Sequence, residues 1–140
     1  MSDRDRLIAD HVSGVWDDVV LPTLHDYIRI PCVSQAFDPD WKVHGHQDAA
    51  TELIRAWCAA RAIAGLTVEV HELPGRSPLI VAEVPAVAAA EASCPADDTV
   101  LLYGHCDKQP EMTGWRDHLG PWLPVQEGDR LYGRGGADDG

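Results

Sequence analysis

An α/β fold, with helices packed on a mostly parallel or mixed sheet, follows from three observations. Apolar residues recur at helical spacing through the first part of the chain and again after residue 46. Two later runs, Leu79–Val84 and Thr99–Tyr103, are almost continuously apolar, as strands are when helices cover both faces of a sheet. The chain has 140 residues, 45% of them hydrophobic, enough for one domain with its own core and too few for two complete ones.

From Asp3 to about Ile30, Leu7, Ile8, Val12, Val15, Trp16, Val19, Val20, Leu24, Tyr27 and Ile28 mark one face of a long amphipathic helix. Pro22 removes an amide donor from its middle, so a kink or break is expected near Leu21. Pro31 ends the run by restricting the residue before it, and Ile30–Ser34 reads as a turn. Gln35 to His46 has neither period and reads as a surface loop. A second helix is expected from about Gln47 to Ala64, with Ala49, Ala50, Leu53, Ile54, Trp57 and Cys58 on one face and Gly65 as its C-terminal cap. Thr67–His71 alternates and is rich in β-branched residues, so it forms a strand nearer the sheet edge. Leu79–Val84 and Thr99–Tyr103 are the central strands. Between them, the Ala-rich stretch Pro85 to Asp98 reads as a flexible insertion without chemistry.

Charge removes several function classes. Eleven Lys and Arg against 23 Asp and Glu give a net charge of −12, which repels both phosphate backbones and anionic membrane surfaces. The longest membrane-like stretch, Leu79 to Ala92, is too short to span a bilayer and carries Glu83 and Glu91. The N-terminus lacks the apolar core of a secretory signal, so a cytoplasmic location is expected. Cys32, Cys58, Cys94 and Cys106 show no C-x-x-C spacing, which fits reduced thiols in packing roles.

The chemistry concentrates after Leu101. An apolar strand running into Tyr103-Gly104-His105-Cys106-Asp107 delivers His105 and Asp107 to its C-terminal end, where open α/β sheets bind ligands. Residues two apart share a side of an extended segment, so Asp107 can reach the His105 imidazole or its metal site. In Gly133-Arg134-Gly135-Gly136-Ala137-Asp138-Asp139-Gly140, paired carboxylates follow glycines that let the backbone approach a neighbour closely. Carboxylates are hard ligands for divalent cations and would repel a phosphate, and the loop lacks both P-loop and dinucleotide-binding patterns.

Taken together, Tyr103-Gly104-His105-Cys106-Asp107-Lys108-Gln109-Pro110, Gly114-Trp115 and Leu131-Tyr132-Gly133-Arg134-Gly135-Gly136-Ala137-Asp138-Asp139 resemble the N-terminal catalytic segment of the M20 family of metallopeptidases, in its dipeptidase and carnosine-dipeptidase-like branch. The likeness is densest over the last forty residues and extends more loosely to the whole chain. It implies the N-terminal part of a zinc-peptidase-like catalytic domain, truncated at Gly140, spanning residues 1–140 and lacking a dimerisation domain. It implies that His105 ligates one metal, that Asp138 bridges two, and that Asp107 serves catalysis as the carboxylate that fixes the imidazole and raises its basicity. Two divalent ions, zinc first and manganese second, would then polarise the amide carbonyl of a dipeptide or similar short substrate and activate a water. A cis peptide between Asp138 and Asp139 is also implied, and a homodimer for the full-length form.

Lys108 departs from the pattern, standing where such enzymes often carry an apolar residue. The family's general-base Glu and its other ligands would lie past Gly140. No Glu-Glu pair occurs in the chain, so these 140 residues alone are expected to be inactive. The alternative is a non-catalytic truncated remnant or a split-enzyme module that needs a second chain. A sheet cut this short should leave apolar faces uncovered. His44-x-His46 could bind a metal through alternate side chains, but without a third ligand nearby it is read as incidental. His11, His25, His71 and His118 are assigned to surface or helix-face positions. Trp115 and Trp122 are expected to pin loops onto the sheet rather than to touch substrate.

Overall fold

The computed structural model describes residues 1–86 and 98–137. Within them the protein is a mixed α/β structure of four α-helices and two small antiparallel sheets. Among the described residues no helix is long and apolar enough to cross a membrane.

Helix α1 spans Asp3–Val15. Its start is fixed by a capping box, in which the Ser2 hydroxyl accepts from the Asp5 amide at 3.1 Å and the Asp5 carboxylate accepts from the Ser2 amide at 2.8 Å. Trp16–Val20 then forms a π-helical turn, closed by the Leu21 amide donating to the Trp16 carbonyl, before α2 runs from Leu21 to Arg29. Pro22 thus has its effect one turn upstream. Its ring crowds the carbonyl four residues back and it has no amide to offer, so the helix widens there instead of breaking. Thr23 eases the irregularity by donating its hydroxyl to the Val19 carbonyl at 2.7 Å.

Helix α2 ends where expected, with Ile30 extended ahead of Pro31. The predicted loop 35–46 instead holds a short helix, α3, Trp41–His44, because Trp41 finds a buried position that the local pattern does not announce. Gly45, at φ 70°, turns the chain directly into α4, His46–Ala59. Helix α4 is about a turn shorter than its apolar pattern predicts. The Arg61 guanidinium folds back over the Trp57 ring and donates to the Trp57 carbonyl at 3.0 Å, capping the last turn early. Gly65 belongs to a separate turn into the next strand, where a Cβ would collide with Pro85.

Strands β1, Thr67–His71, and β2, Leu79–Glu83, form where the sequence places them, but they pair antiparallel, with Thr67 opposite Glu83 and His71 opposite Leu79. The expectation of a mostly parallel or mixed sheet is therefore corrected. The link from Glu72 to Pro78 is too short for the crossover that parallel strands require. The third expected strand, Thr99–Tyr103, does not form. No strand among the described residues pairs with it, and Val100, Leu101, Leu102 and Tyr103 are 85–88% exposed. Most of the insertion assigned to Pro85–Asp98 lies outside the described residues. A second hairpin pairs β3, Val125–Glu127, with β4, Arg130–Tyr132, through Gly128 and Asp129. The sequence signal for it was present, since Gly-Asp between two short segments of mixed polarity is a hairpin turn.

The core gathers on the inner side of α2 and α4. Tyr27, Cys32 and Ala50 are buried together, with Leu24, Ile30, Leu53, Ile54 and Cys106 packed against them. Cys32, Cys58 and Cys106 are free thiols. The β3–β4 hairpin is tied to the loop before it through Glu127, whose carboxylate meets Arg116 at 2.9 Å and His118 at 2.6 Å. Those two partners hold the Glu127 carboxyl below its ordinary value.

Two expected outcomes test this architecture. Gly133 packs its backbone directly against the Ile28 side chain, at a φ of 143° that other residues avoid. Gly133→Ala should therefore lower stability by about 1–3 kcal/mol, measured as a fall in the urea midpoint. A carboxyl with a lowered folded-state pKa stabilises the fold above its unfolded pKa, and the effect is lost as pH falls through the folded value. The Glu127 contribution should hold at neutral pH and fade in acid, and a carboxyl NMR titration of wild type against His118→Ala should show the midpoint moving back up.

Candidate functional site

The two halves of the motif are brought together by the end of α2. On one side, residues 105–108 run alongside the turn that follows the helix. The Lys108 amide donates to the Cys32 carbonyl at 2.8 Å, and the Ser34 amide donates to the Lys108 carbonyl at 2.9 Å, a single parallel bridge. Two residues before Lys108, the Cys106 carbonyl accepts from the Tyr27 hydroxyl at 3.1 Å and from the Cys32 thiol at 3.2 Å. Gln47, buried in α4, donates to the Val33 carbonyl at 3.0 Å and holds the other side of the same turn.

Lys108 makes the strongest of these attachments. Its side chain is 1% exposed, and its ammonium donates to the carbonyls of Tyr27 at 2.5 Å and Ile30 at 2.7 Å, with that of Ile28 at 3.4 Å. These carbonyls cluster at the end of α2, where the helix ladder runs out; those of Tyr27 and Ile30 also accept from the amides of Ile30 at 3.1 Å and Cys32 at 2.8 Å. The charge also lies 3.9 Å from the centre of the Tyr27 ring and 5.4 Å from that of Trp122. Burial pulls the Lys108 ammonium down to about 8, against the neighbouring Cys32 thiol, which favours the charged form. The residue that departs from the resembled motif therefore acts as the C-terminal cap of α2.

On the other side lies the glycine-rich loop. Gly133 and Gly136 rest on the side chain of Ile28, which has no exposed surface. This is the close backbone approach that the glycines were expected to allow. Arg134, which the sequence reading passed over, fastens the loop. Its amide donates to the Pro121 carbonyl at 2.7 Å and its Nε to the Pro110 carbonyl at 3.1 Å. Such a clasp between loops leaves no trace in a local pattern.

His105 and Asp107 meet as the two-residue spacing predicts. The His105 Nδ1 lies 3.1 Å from Asp107 Oδ1 and 3.0 Å from the Asp107 backbone carbonyl, and the two side chains are about one-third exposed, at 37% and 33%. A carbonyl can only accept, so Nδ1 carries the proton and the lone pair resides on Nε2. That is the tautomer and orientation a metal-ligating imidazole needs, with its other nitrogen held by a carboxylate. Cys106, between them, turns into the core. Burial, with Asp107 adding to it, pushes its thiol above the usual range, so it remains protonated and takes no part as a thiolate.

Asp138, the expected bridging ligand, lies outside the described residues, as does its peptide bond to Asp139. Among the described residues no group of three or more His, Cys, Asp and Glu side chains is placed to hold a metal ion. The donor set in view fits one imidazole ligand with its orienting carboxylate. Trp122 sits beside the cap, its indole N–H donating to Glu111 at 2.5 Å and its ring near Lys108. Both contacts are those of a side chain that pins a loop. Trp115 is half-buried, and its indole nitrogen has no partner among the described residues.

Lys108 supplies a direct test of how the segment is held. Lys108→Ala removes a buried donor shared by three carbonyls and opens a space beside Tyr27, and it should lower stability by roughly 2–4 kcal/mol in urea unfolding. Lys108→Met, which keeps the stem but not the donors, should recover only the packing part. No family model matches the chain, and no curated protein matches it.

Proposed function

We propose that this chain is the N-terminal part of an M20-type, zinc-peptidase-like catalytic domain, from a metal-dependent hydrolase that cleaves the amide bond of dipeptides or similar short substrates. The observation that carries the reading is the His105 imidazole, fixed by Asp107 through Nδ1 and left with the Nε2 lone pair free to bind a metal, inside a motif that resembles that family's metal-binding segment. Its second half, the glycine-rich loop that leads to Asp138, docks on the same α2 turn.

On this reading His105 and Asp138 hold the metals, zinc or manganese, which supply Lewis acidity to the substrate carbonyl and lower the pKa of a bound water. Asp107 keeps the proton on His105 Nδ1, so that the imidazole presents its lone pair outward and does not rotate away. Lys108 and Arg134 act through the backbone: the first sets residues 105–108 against α2, and the second sets the glycine-rich loop against the segments at Pro110 and Pro121. The residue that takes the water's proton and the remaining ligands come from further sequence or a partner chain, since no Glu-Glu pair occurs in these 140 residues. The protein then works in the cytoplasm on a small-molecule substrate, without nucleic acid or membrane, and its full-length form is a homodimer.

The test uses the protein at the mass it has in its source cells, assayed for dipeptide hydrolysis with added Zn2+ or Mn2+. His105→Ala and Asp138→Ala should each abolish turnover, and Asp107→Ala should cost about 10–100-fold, as loss of a partner that orients a metal ligand does. Hydrolysis that is unchanged by His105→Ala, or no hydrolysis of any dipeptide by the metal-loaded native protein, would overturn the proposal.

A further inference from the structure

Apart from His105, two histidines line an open groove beside Pro31 and Val33. The groove encloses about 520 Å³ and is lined by Phe37, Asp38, His44, His46, Glu111 and Trp122, among others. His44 is the last residue of α3 and His46 the first of α4, and the single residue between them, Gly45, is a left-handed hinge at φ 70°. That hinge brings the two imidazoles to the same wall. Their ring centres are 5.8 Å apart, with planes inclined at 30°. An imidazole nitrogen binds a first-row ion at about 2.0–2.1 Å, so two ring centres on one ion stand at most ~6.4 Å apart. The observed separation falls inside that limit.

Two further contacts prepare the pair. His44 Nδ1 is hydrogen-bonded to Asp38 Oδ2 at 2.8 Å, and the Asp38 side chain is only 17% exposed. Asp38 is itself held, accepting through Oδ1 from the Asp40 amide at 3.2 Å. With Nδ1 occupied by a carboxylate, Nε2 of His44 carries the lone pair, and the partner raises its basicity. The backbone at His46 is set beside Gln47, which is 4% exposed and anchored to the Val33 carbonyl. Glu111 is engaged by the Trp122 indole across the groove and is not a third ligand.

We propose that His44 and His46 form a binding site for a borderline divalent ion of the zinc and copper type, with two protein nitrogens and the remaining positions filled by water. Imidazole donors select such ions over magnesium or calcium, which demand oxygen ligands. The site is separate from His105 and does not depend on the peptidase reading. Two protein ligands give a loadable site of modest affinity rather than a closed structural one.

The experiment is a Cu2+ titration of the full 140-residue chain at mildly alkaline pH, read by electron paramagnetic resonance for nitrogen coupling. Wild type should show a site with two imidazole nitrogens, kept in His105→Ala. His44→Gln and His46→Gln should each lose one nitrogen and at least tenfold in affinity, and Asp38→Asn about 10–100-fold. Both histidines are partly exposed, so the variants should retain the wild-type circular dichroism. In a parallel Zn2+ titration followed by amide NMR, the largest shifts should fall on residues 38–47. Unchanged coupling and affinity in both histidine variants would overturn the proposal, as would loss of the signal in His105→Ala or Zn2+ shifts confined to other residues.

Discussion

The end of α2 is a charged contact in an apolar setting. A helix that stops inside a protein leaves carbonyls pointing at whatever packs beneath it, and here that neighbour is the Lys108 ammonium, almost fully removed from water. Its partners are neutral backbone dipoles and the rings of Tyr27 and Trp122, and no carboxylate among the described residues is hydrogen-bonded to it. The negative end of the helix dipole and the carbonyls oriented by it take the place of a counter-ion. The arrangement binds a distant piece of sequence to the helix terminus, because the donor is about eighty residues further along the chain. The rest of the described site follows from that attachment, since the backbone of Lys108 fixes Cys106 and Asp107, and these fix His105.

The same helix end receives the glycine-rich loop through Ile28. Two segments that resemble one metal-binding motif are thus brought to a common support, although each is held by a different force. Residues 105–108 are held by hydrogen bonds to neutral polar groups, three of them made by the Lys108 ammonium. The glycine loop is held by backbone-to-side-chain packing that a single Cβ would prevent, together with the Arg134 clasp. The hydrophobic cluster of Tyr27, Cys32 and Ala50 lies between α2 and α4 and keeps the support rigid.

By contrast, the parts of the chain farthest from that support make few contacts. Helix α1 contains no buried residue, and Leu7, Ile8, Val12 and Trp16 are about half exposed or more. The run Val100–Tyr103, the most apolar approach to His105, is almost wholly exposed. A strand depends on neighbours for its hydrogen bonds, whereas a helix makes its own. An amphipathic segment such as α1 can therefore form before its face is covered, and a lone apolar run cannot become a strand.

That difference separates what the sequence determined by itself from what the tertiary structure decided. Local rules located α1, α2 and α4, because helical spacing, Ser2 and the two prolines act over a few residues. They located β1 and β2, because alternation and branching are local too. The spacing of His105 and Asp107 was enough to predict their contact, since an extended backbone puts residues two apart on one side. Strand partnership was not legible, because the direction of pairing and the presence of a neighbour depend on distant chain. Neither was the burial of Trp41 that makes α3, nor the early cap of α4 by Arg61. The role of Lys108 was least visible of all. In the sequence it is a polar residue where an apolar one was expected, and only the fold places the open end of a helix above it.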